Sequence, residues 1–156
     1  MFEKKFYMNL CITNAKKGVT NDEGGPFGAV IVKEGLIVGV GNNRVLVDND
    51  PTAHGEMVAI RNACKNLRTF DLSGCELYTS AEPCPMCLSA IMWSNIKKVY
   101  YGCSVEDTDK IGFRDGFIYD WLENRDAKVL DLEQLERDSA MEAFNLWREK
   151  ENKTQY

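Results

Sequence analysis

Apolar residues along the first third of the chain follow first a helical and then a strand-like spacing. Residues 2–17 carry apolar side chains at four-residue steps and are followed by a glycine, a pattern that predicts a helix. Two β-branched runs come next, at 29–33 and 36–41, and only Glu34 and Gly35 separate them. This spacing predicts an antiparallel hairpin closed by a two-residue turn.

Helices and strands alternate through the middle of the chain. Asp50 and the proline after it are typical of a helix start, because aspartate caps free N–H groups and proline suits the first helical position. Apolar residues then recur at helical spacing, which predicts a helix over 51–67. Farther along, we expect short strands at 76–80 and 97–101 with a helix at 85–94 between them.

The last third of the chain is less regular. The polar stretch 102–116 predicts a loop, and a short run at 128–130 predicts a last strand. Beyond it, Phe144 and Trp147 share one face of an amphipathic helix whose apolar side has to be buried. No repeat or linker divides the chain, so we expect one α/β domain, 1–156, with a mixed sheet that begins with the antiparallel hairpin.

Composition narrows the class of protein. The 156 residues, 44% of them hydrophobic, suffice for one domain with its own core. The 19 basic residues against 24 acidic ones give a net charge of −5, which argues against a nucleic-acid partner because phosphate contacts need a basic surplus. We find neither a secretory leader nor an apolar run of the ~20 residues that a membrane span needs. We therefore expect a cytoplasmic protein without membrane contact.

The six cysteines and the single histidine restrict the candidate chemistry. In a chain without a secretory signal, the closest cysteine pair, Cys84 and Cys87, favours reduced thiols or metal thiolates over disulfides. Any imidazole ligand has to come from His54. The other four cysteines are expected to be free, mostly buried thiols: Cys11, Cys64, Cys75 and Cys103.

Two short motifs carry the candidate chemistry, and each stands at a predicted helix start. His54 and Glu56 open the first helix, and Cys84 and Cys87 open the second. Outward N–H groups at a helix N-terminus favour thiolates and disfavour a charged imidazole, so the histidine and both cysteines can act as ligands. One nitrogen and two sulfurs are donors that zinc takes, and a fourth position would hold water. We therefore expect one zinc ion per chain.

A water in that fourth position gives the site a reaction. Zinc lowers the pKa of its water towards about 7, so a bound hydroxide is available as nucleophile at neutral pH. Glu56 is not needed as a ligand and can carry the proton. This arrangement predicts a hydrolase that attacks an electrophilic carbon. Two other interpretations stay open: a redox pair or buried thiols at Cys84 and Cys87, and a non-catalytic zinc module with Cys75 or Cys103 as fourth ligand.

The two motifs, His-x-Glu and Pro-Cys-x-x-Cys, are those of the zinc nucleobase deaminases. Over nearly its whole length the chain resembles the bacterial guanine deaminases of the cytidine and deoxycytidylate deaminase superfamily. The resemblance rests on GGPFGAVIVK (24–33), GNN (41–43), DPTAHGEM (50–57), LYTSAEPCPMC (77–87) and GFRDGFIYD (112–120). The first four stretches are shared with tRNA adenosine and cytosine deaminases, whereas the last stretch and a terminal tyrosine are narrower. The resemblance implies the three-layer α/β/α cytidine deaminase-like fold.

The resemblance also implies an activity, the hydrolytic deamination of guanine to xanthine and ammonia in purine catabolism. It places zinc on the histidine and cysteines named above and gives Glu56 the role of proton shuttle. The implied contacts to the base are Phe27, Asn43, Trp93, Asp115 and Tyr156. A carboxylate suits the adjacent ring N–H and amine of guanine, because it accepts hydrogen bonds from both. The resemblance further implies a homodimer whose C-terminal arm, 132–156, can be exchanged between subunits to bring the terminal tyrosine to the base.

Two other kinds of substrate remain open. The tRNA adenosine deaminases share the zinc motifs, but the segment 132–156 has four basic and six acidic residues, which argues against RNA. Cytosine, ammeline or a related free base is favoured by Gly55. This glycine stands where alanine is usual in the guanine and tRNA enzymes and is familiar in cytosine deaminases.

Overall fold

The computed structural model describes residues 3–156, so the predicted start of the first helix at Phe2 lies outside the described residues. The chain divides into two compact units, one up to Gly116 and one from Phe117 to Tyr156. The helices and strands are, in chain order, α1 (Lys4–Thr20), β1 (Gly28–Lys33), β2 (Leu36–Asn42), α2 (Val45–Asp48), α3 (Gly55–Leu67), β3 (Cys75–Ala81), α4 (Pro85–Trp93), β4 (Lys98–Cys103), α5 (Val105–Lys110), α6 (Gly116–Asn124) and α7 (Arg137–Glu149).

The sheet is mixed, with the strand order β2-β1-β3-β4. Strand β1 pairs antiparallel with both β2 and β3, and β4 adds parallel to β3. The predicted hairpin is confirmed, and its turn residues Glu34 and Gly35 have φ of 50° and 79°. Positive φ at both positions is what a two-residue turn needs in order to follow the twist of the strands.

Both faces of β1 are buried, because helices cover the sheet on each side. On one face Val30 belongs to an apolar cluster with Tyr7 of α1. On the other face Ile31 belongs to a cluster with Ala59 and Ala63 of α3. The three-layer α/β/α architecture that the resemblance implied is confirmed, and the helix that carries the His-x-Glu motif packs directly on the sheet.

The helix predicted over 51–67 begins four residues later, at Gly55, with His54 as its N-cap. The Asp50 side chain caps a turn instead, since its Oδ1 accepts from the backbone N–H of Thr52 at 2.8 Å and from the Thr52 hydroxyl at 2.7 Å. An aspartate can cap either kind of structure, so the local pattern does not distinguish them. The predicted start at position 51 is wrong, and the later start places His54 at the helix end itself.

Two predictions for the last third of the chain are also wrong. The polar stretch 102–116 contains the end of β4 and the short helix α5, which Ser104 and Asp107 cap reciprocally. Residues 128–130 form no strand and lie in a turn in which the Asp126 carbonyl accepts a backbone N–H at 3.0 Å. The amphipathic C-terminal helix is confirmed as α7. Among residues 3–156, the helices lack the combination of length and apolar character that a membrane crossing requires.

Candidate active site

Two helix N-termini bring the predicted zinc ligands together. His54 is the N-cap of α3, and Cys84 is the N-cap of α4, where Pro85 takes the first helical position. Cys87 follows in the first turn of α4. An imidazole nitrogen and two sulfurs consequently lie within 4.8 Å of one another. The two motifs are 30 positions apart in sequence, and the fold makes them one group.

The distances within this group match a zinc site. The Nδ1 atom of His54 lies 3.5 Å from the Cys84 sulfur and 3.6 Å from the Cys87 sulfur. Tetrahedral zinc, with bonds of ~2.3 Å to sulfur and ~2.0–2.1 Å to nitrogen, separates such ligands by about 3.6 Å. Both sulfurs are buried. The three side chains therefore have the donor types and the spacing that zinc requires.

Hydrogen bonds within the group set the pKa values of its members. Cys84 accepts from the Cys87 thiol, and this bond, together with the bond to His54, lowers the pKa of Cys84 well below its usual range. The same thiol bond, followed by burial, raises the pKa of Cys87. The pKa of His54 is raised, first by its hydrogen bond with Cys84. The helix N-terminus disfavours a charged imidazole, whereas the neighbouring Cys84 thiolate favours it. A divalent cation would favour the thiolate at both sulfurs.

Glu56 lies beside these ligands in the first turn of α3, and it is 5% exposed. Its Oε1 accepts a hydrogen bond from the Thr79 hydroxyl at 2.6 Å. Its Oε2 lies 3.1 Å from the Cys87 sulfur. The carboxylate is therefore held next to the zinc ligands without being needed as one, which is the position that a proton carrier requires.

A cavity of about 270 Å³ opens beside this group, and Glu56 forms part of its wall. Of the predicted base contacts, Phe27, Asn43 and Asp115 also line it. Its volume lies just below the ~300–1,000 Å³ of typical small-molecule sites. The cavity therefore suits a small ligand.

The three predicted contacts in the wall differ in their surroundings. The Phe27 ring meets the edge of Phe113, with ring centroids 5.0 Å apart. Asn43 is buried, and its Oδ1 accepts from the backbone N–H of Val45 at 3.1 Å. Burial raises the pKa of Asp115, and the charge of a nearby thiolate adds to this effect. The cavity thus combines an aromatic wall with one amide and one carboxyl group.

The other two predicted contacts are not among the residues of that wall. Trp93 is the last residue of α4, and its side chain is 69% exposed. Tyr156 belongs to the second unit and is also exposed. The roles of both residues in base binding therefore stay predictions.

Several residues of the wall carry no role in the sequence-based prediction: Gly25, Val45, Leu46, Pro51, Ala81, Glu82, Thr108 and Phe113. Phe113 lies in the stretch 112–120, on which the resemblance to guanine deaminases rests, so its place in the site could have been predicted from that stretch. Thr108 could not have been predicted. Its hydroxyl donates to the Ser104 carbonyl one turn earlier at 3.1 Å, as any helical threonine can. Thr79 lies 23 positions from its carboxylate partner, so no local pattern connects the two.

Comparison with known proteins places the chain in a family. The family model described as "Cytidine and deoxycytidylate deaminase zinc-binding region" matches residues 1–103. The matched region contains both motifs of the zinc group. The chain belongs to this family, and it is a zinc-dependent deaminase.

Similarity to a guanine deaminase extends over nearly the whole chain. The guanine deaminase of Bacillus subtilis (strain 168) is 44% identical over 151 residues, which cover 96% of this chain and 97% of that one. The X-ray structure of guanine deaminase from Bacillus subtilis matches with a TM-score of 0.93 at 43% identity and covers 99% of both chains. A tRNA-specific adenosine deaminase of Aquifex aeolicus (strain VF5) is 45% identical over 98 residues, or 63% of this chain and 64% of that one. The predicted family and the cytidine deaminase-like fold are confirmed.

Proposed function

We propose that this protein hydrolyses guanine to xanthine and ammonia. The observation that carries the proposal is the extent of the similarity. Likeness to the Bacillus subtilis guanine deaminase covers 96% of the chain, whereas likeness to the Aquifex aeolicus tRNA-specific adenosine deaminase covers 63%. Both classes of deaminase contain the zinc motifs, so the part of the chain outside these motifs distinguishes them. Its similarity to the guanine deaminase favours a free purine base over tRNA as the substrate.

The cavity offers groups that complement guanine. Guanine presents a ring N–H beside an exocyclic amine, and the carboxylate of Asp115 can accept from both. The amide of Asn43 can donate at another edge, because its oxygen already accepts from a backbone N–H. Phe27 and Phe113 supply apolar aromatic surface. We propose that these four residues bind the base.

Glu56 is proposed as the proton carrier. The chemistry that zinc supplies when held by His54, Cys84 and Cys87 is Lewis acidity, which makes water a stronger nucleophile at neutral pH. The Glu56 carboxylate takes the proton that water loses on attacking the carbon that bears the amine. It passes this proton to the ring nitrogen next to that carbon, and it then carries the proton of the added hydroxyl to the amine. The carbon–nitrogen bond breaks as the carbonyl forms, and ammonia leaves. The 2.6 Å hydrogen bond from the Thr79 hydroxyl to Oε1 supports this role, because it fixes the carboxylate in place and needs no proton from the zinc ligands.

We further propose a single deaminase domain, 1–156, that forms a homodimer by exchanging the arm 132–156. None of residues 117–156 is buried, and Phe144 and Trp147, which share one face of α7, are 68% and 41% exposed. We propose that this exposed apolar face is an interaction site. In the proposed dimer a second copy covers it, and the exchanged arm supplies Tyr156 to the base site. Trp93 is proposed as a further base contact.

The cytoplasm is proposed as the site of action, and purine catabolism as the role. All six cysteines are free thiols in the structure. Two of them are proposed to bind zinc as thiolates, which requires that they not be oxidised to a disulfide. A reducing compartment maintains that state.

The test is an ammonia-release assay on zinc-loaded protein, with a chelated sample as control. Separate reactions contain guanine, adenine, cytosine, ammeline, guanosine or a tRNA anticodon stem-loop. Preferential turnover of guanine supports the proposal. Turnover of another substrate without turnover of guanine overturns the substrate assignment. A fully loaded protein that releases ammonia from none of them supports a non-catalytic zinc module.

A further inference from the structure

Thr79 is a buried polar residue on an apolar face of the sheet. It lies in β3, is fully buried, and is paired with Ala29 of β1 and Tyr101 of β4. Side chains alternate between the two faces of a strand, so Leu77, a member of the apolar core, shares its face. A hydroxyl in such a place needs hydrogen-bond partners. The partner it finds on α3 is the carboxylate of Glu56.

The Thr79 hydroxyl lies between two acceptors. Its Oγ1 is 2.6 Å from Oε1 of Glu56 and 3.0 Å from the carbonyl oxygen of Ala81. The shorter distance is typical of a charge-assisted O–H bond to a carboxylate, at ~2.5–2.7 Å. Because a hydroxyl has one proton, it donates to one acceptor at a time, and the ionised carboxylate is the stronger one. The Ala81 carbonyl can accept that proton while the glutamate is protonated.

The two oxygens of Glu56 therefore have different surroundings. Oε1 is held by Thr79, whereas Oε2 lies 3.1 Å from the sulfur of Cys87. The terminal torsion of a glutamate side chain is soft, so a hydrogen bond decides how its carboxylate is turned. Threonine is a firm anchor for this bond, because its branched Cβ restricts χ1. The oxygen next to the zinc ligands is the one left to exchange protons.

We propose that Thr79 is a positioning residue for deamination. Its hydroxyl holds Oε1 of Glu56, so that Oε2 carries the proton from water to the purine. Thr79 gives no proton to the substrate, and its O–H bond is intact before and after each turnover. The proposal rests on the proposed function, in which Glu56 is the proton carrier.

The test compares Thr79→Val, which keeps the branched shape and removes the hydroxyl, with Thr79→Ser, which keeps the hydroxyl. The valine variant is expected to lose about 10–100-fold in kcat, the usual effect of a hydrogen bond to a charged group. Its KM for guanine should change by less than about threefold, because the base contacts are untouched. Zinc content should stay at one per chain in both variants. The serine variant is expected to recover most of the lost kcat.

A matched control is Tyr78→Phe on the same strand. The Tyr78 hydroxyl bonds the carboxylate of Glu76 at 3.1 Å, and its ring belongs to the cluster on the opposite face of the sheet. Its removal should leave kcat unchanged. If the valine variant does not fold, Thr79→Ala replaces it as the variant without a hydroxyl.

Three results would overturn the positioning role. They are a wild-type kcat in the variant without the hydroxyl, an equal loss of kcat in the serine variant, and a loss of zinc in the valine variant. Failure of the proposed function has a separate signature, because the wild-type protein would then release no ammonia from guanine. In that case the same variants are assayed with whichever compound the wild-type protein does deaminate.

Discussion

Glu56 is the residue on which turnover is expected to depend most. Glu56→Gln keeps the size of the side chain and removes its ability to carry a proton. We therefore expect kcat to fall by about 10²–10⁴-fold or more. Zinc content should stay at one per chain, because the three ligands are unchanged. Ammonia release and metal analysis measure the two quantities. Glu76→Gln is the control, since that carboxylate accepts from Tyr78 on its own strand. Near-normal turnover by the Glu56 variant would contradict the mechanism.

Asp115 is expected to decide how well guanine binds. In Asp115→Asn one acceptor becomes a donor, so one of the two adjacent donors of guanine loses its partner. We expect kcat/KM for guanine to fall by about 10–100-fold, with zinc content unchanged. Asp109→Asn serves as control, because that carboxylate is 60% exposed and pairs with Arg114 at 3.7 Å. An exposed pair of this kind contributes ~0–1 kcal/mol. Equal kcat/KM values for the two variants would remove Asp115 from the base site.

At the scale of secondary-structure elements, the packing of β2 against α3 requires a glycine at position 39. A Cβ there would clash with the Ala59 carbonyl oxygen and would lie 2.8 Å from the Ala63 Cβ. Gly39→Ala should therefore lower the free energy of unfolding by about 1–3 kcal/mol, as overpacking does. Gly116→Ala is the control, because no atom beyond its chain neighbours and its own helix backbone lies within 4 Å of the added Cβ. Denaturant unfolding of the two variants measures the difference, and equal stabilities would contradict the packing argument.

The elements that local sequence patterns predicted correctly are those whose determinants lie next to one another. The hairpin needs two β-branched runs and a turn that accepts positive φ, and Glu34 and Gly35 form that turn. The start of α3 was harder to predict, because the Asp50 side chain caps a turn equally well. The run at 128–130 contains one β-branched residue, Val129, but it pairs with no strand of the sheet.

In the candidate site, too, local sequence motifs were predictable and contacts between distant residues were not. The zinc group was predictable, because each half is a short motif at a helix start and zinc accepts few sets of donors. Thr79 was not, because its function depends on a contact between β3 and α3 that only the folded chain creates. Phe113 lies between these cases, since it stands two positions from Asp115 in a stretch typical of guanine deaminases.

At the scale of the whole molecule, burial is confined to the first unit. Every residue from Phe117 to Tyr156 is exposed or half-buried, although the stretch contains the apolar face of α7. Likeness to the Bacillus subtilis guanine deaminase nevertheless covers 96% of the chain. A segment without a core of its own gains stability from surface that another molecule supplies. The proposed exchange of the arm therefore predicts a dimer by sedimentation at micromolar concentration, and a monomer would contradict it.

Mixed dimers test whether Tyr156 acts on the partner's site. One preparation lacks Tyr156 and the other carries Glu56→Gln, and each alone should turn over guanine far more slowly than the wild-type protein. After the subunits are dissociated and reassociated together, the truncated subunit keeps its own Glu56 and receives the tyrosine of its partner. An equal mixture should regain roughly a quarter of wild-type turnover, because half of the dimers are mixed and each has one complete site. No recovery is expected if the tyrosine serves its own chain, since every site would then lack one of the two residues.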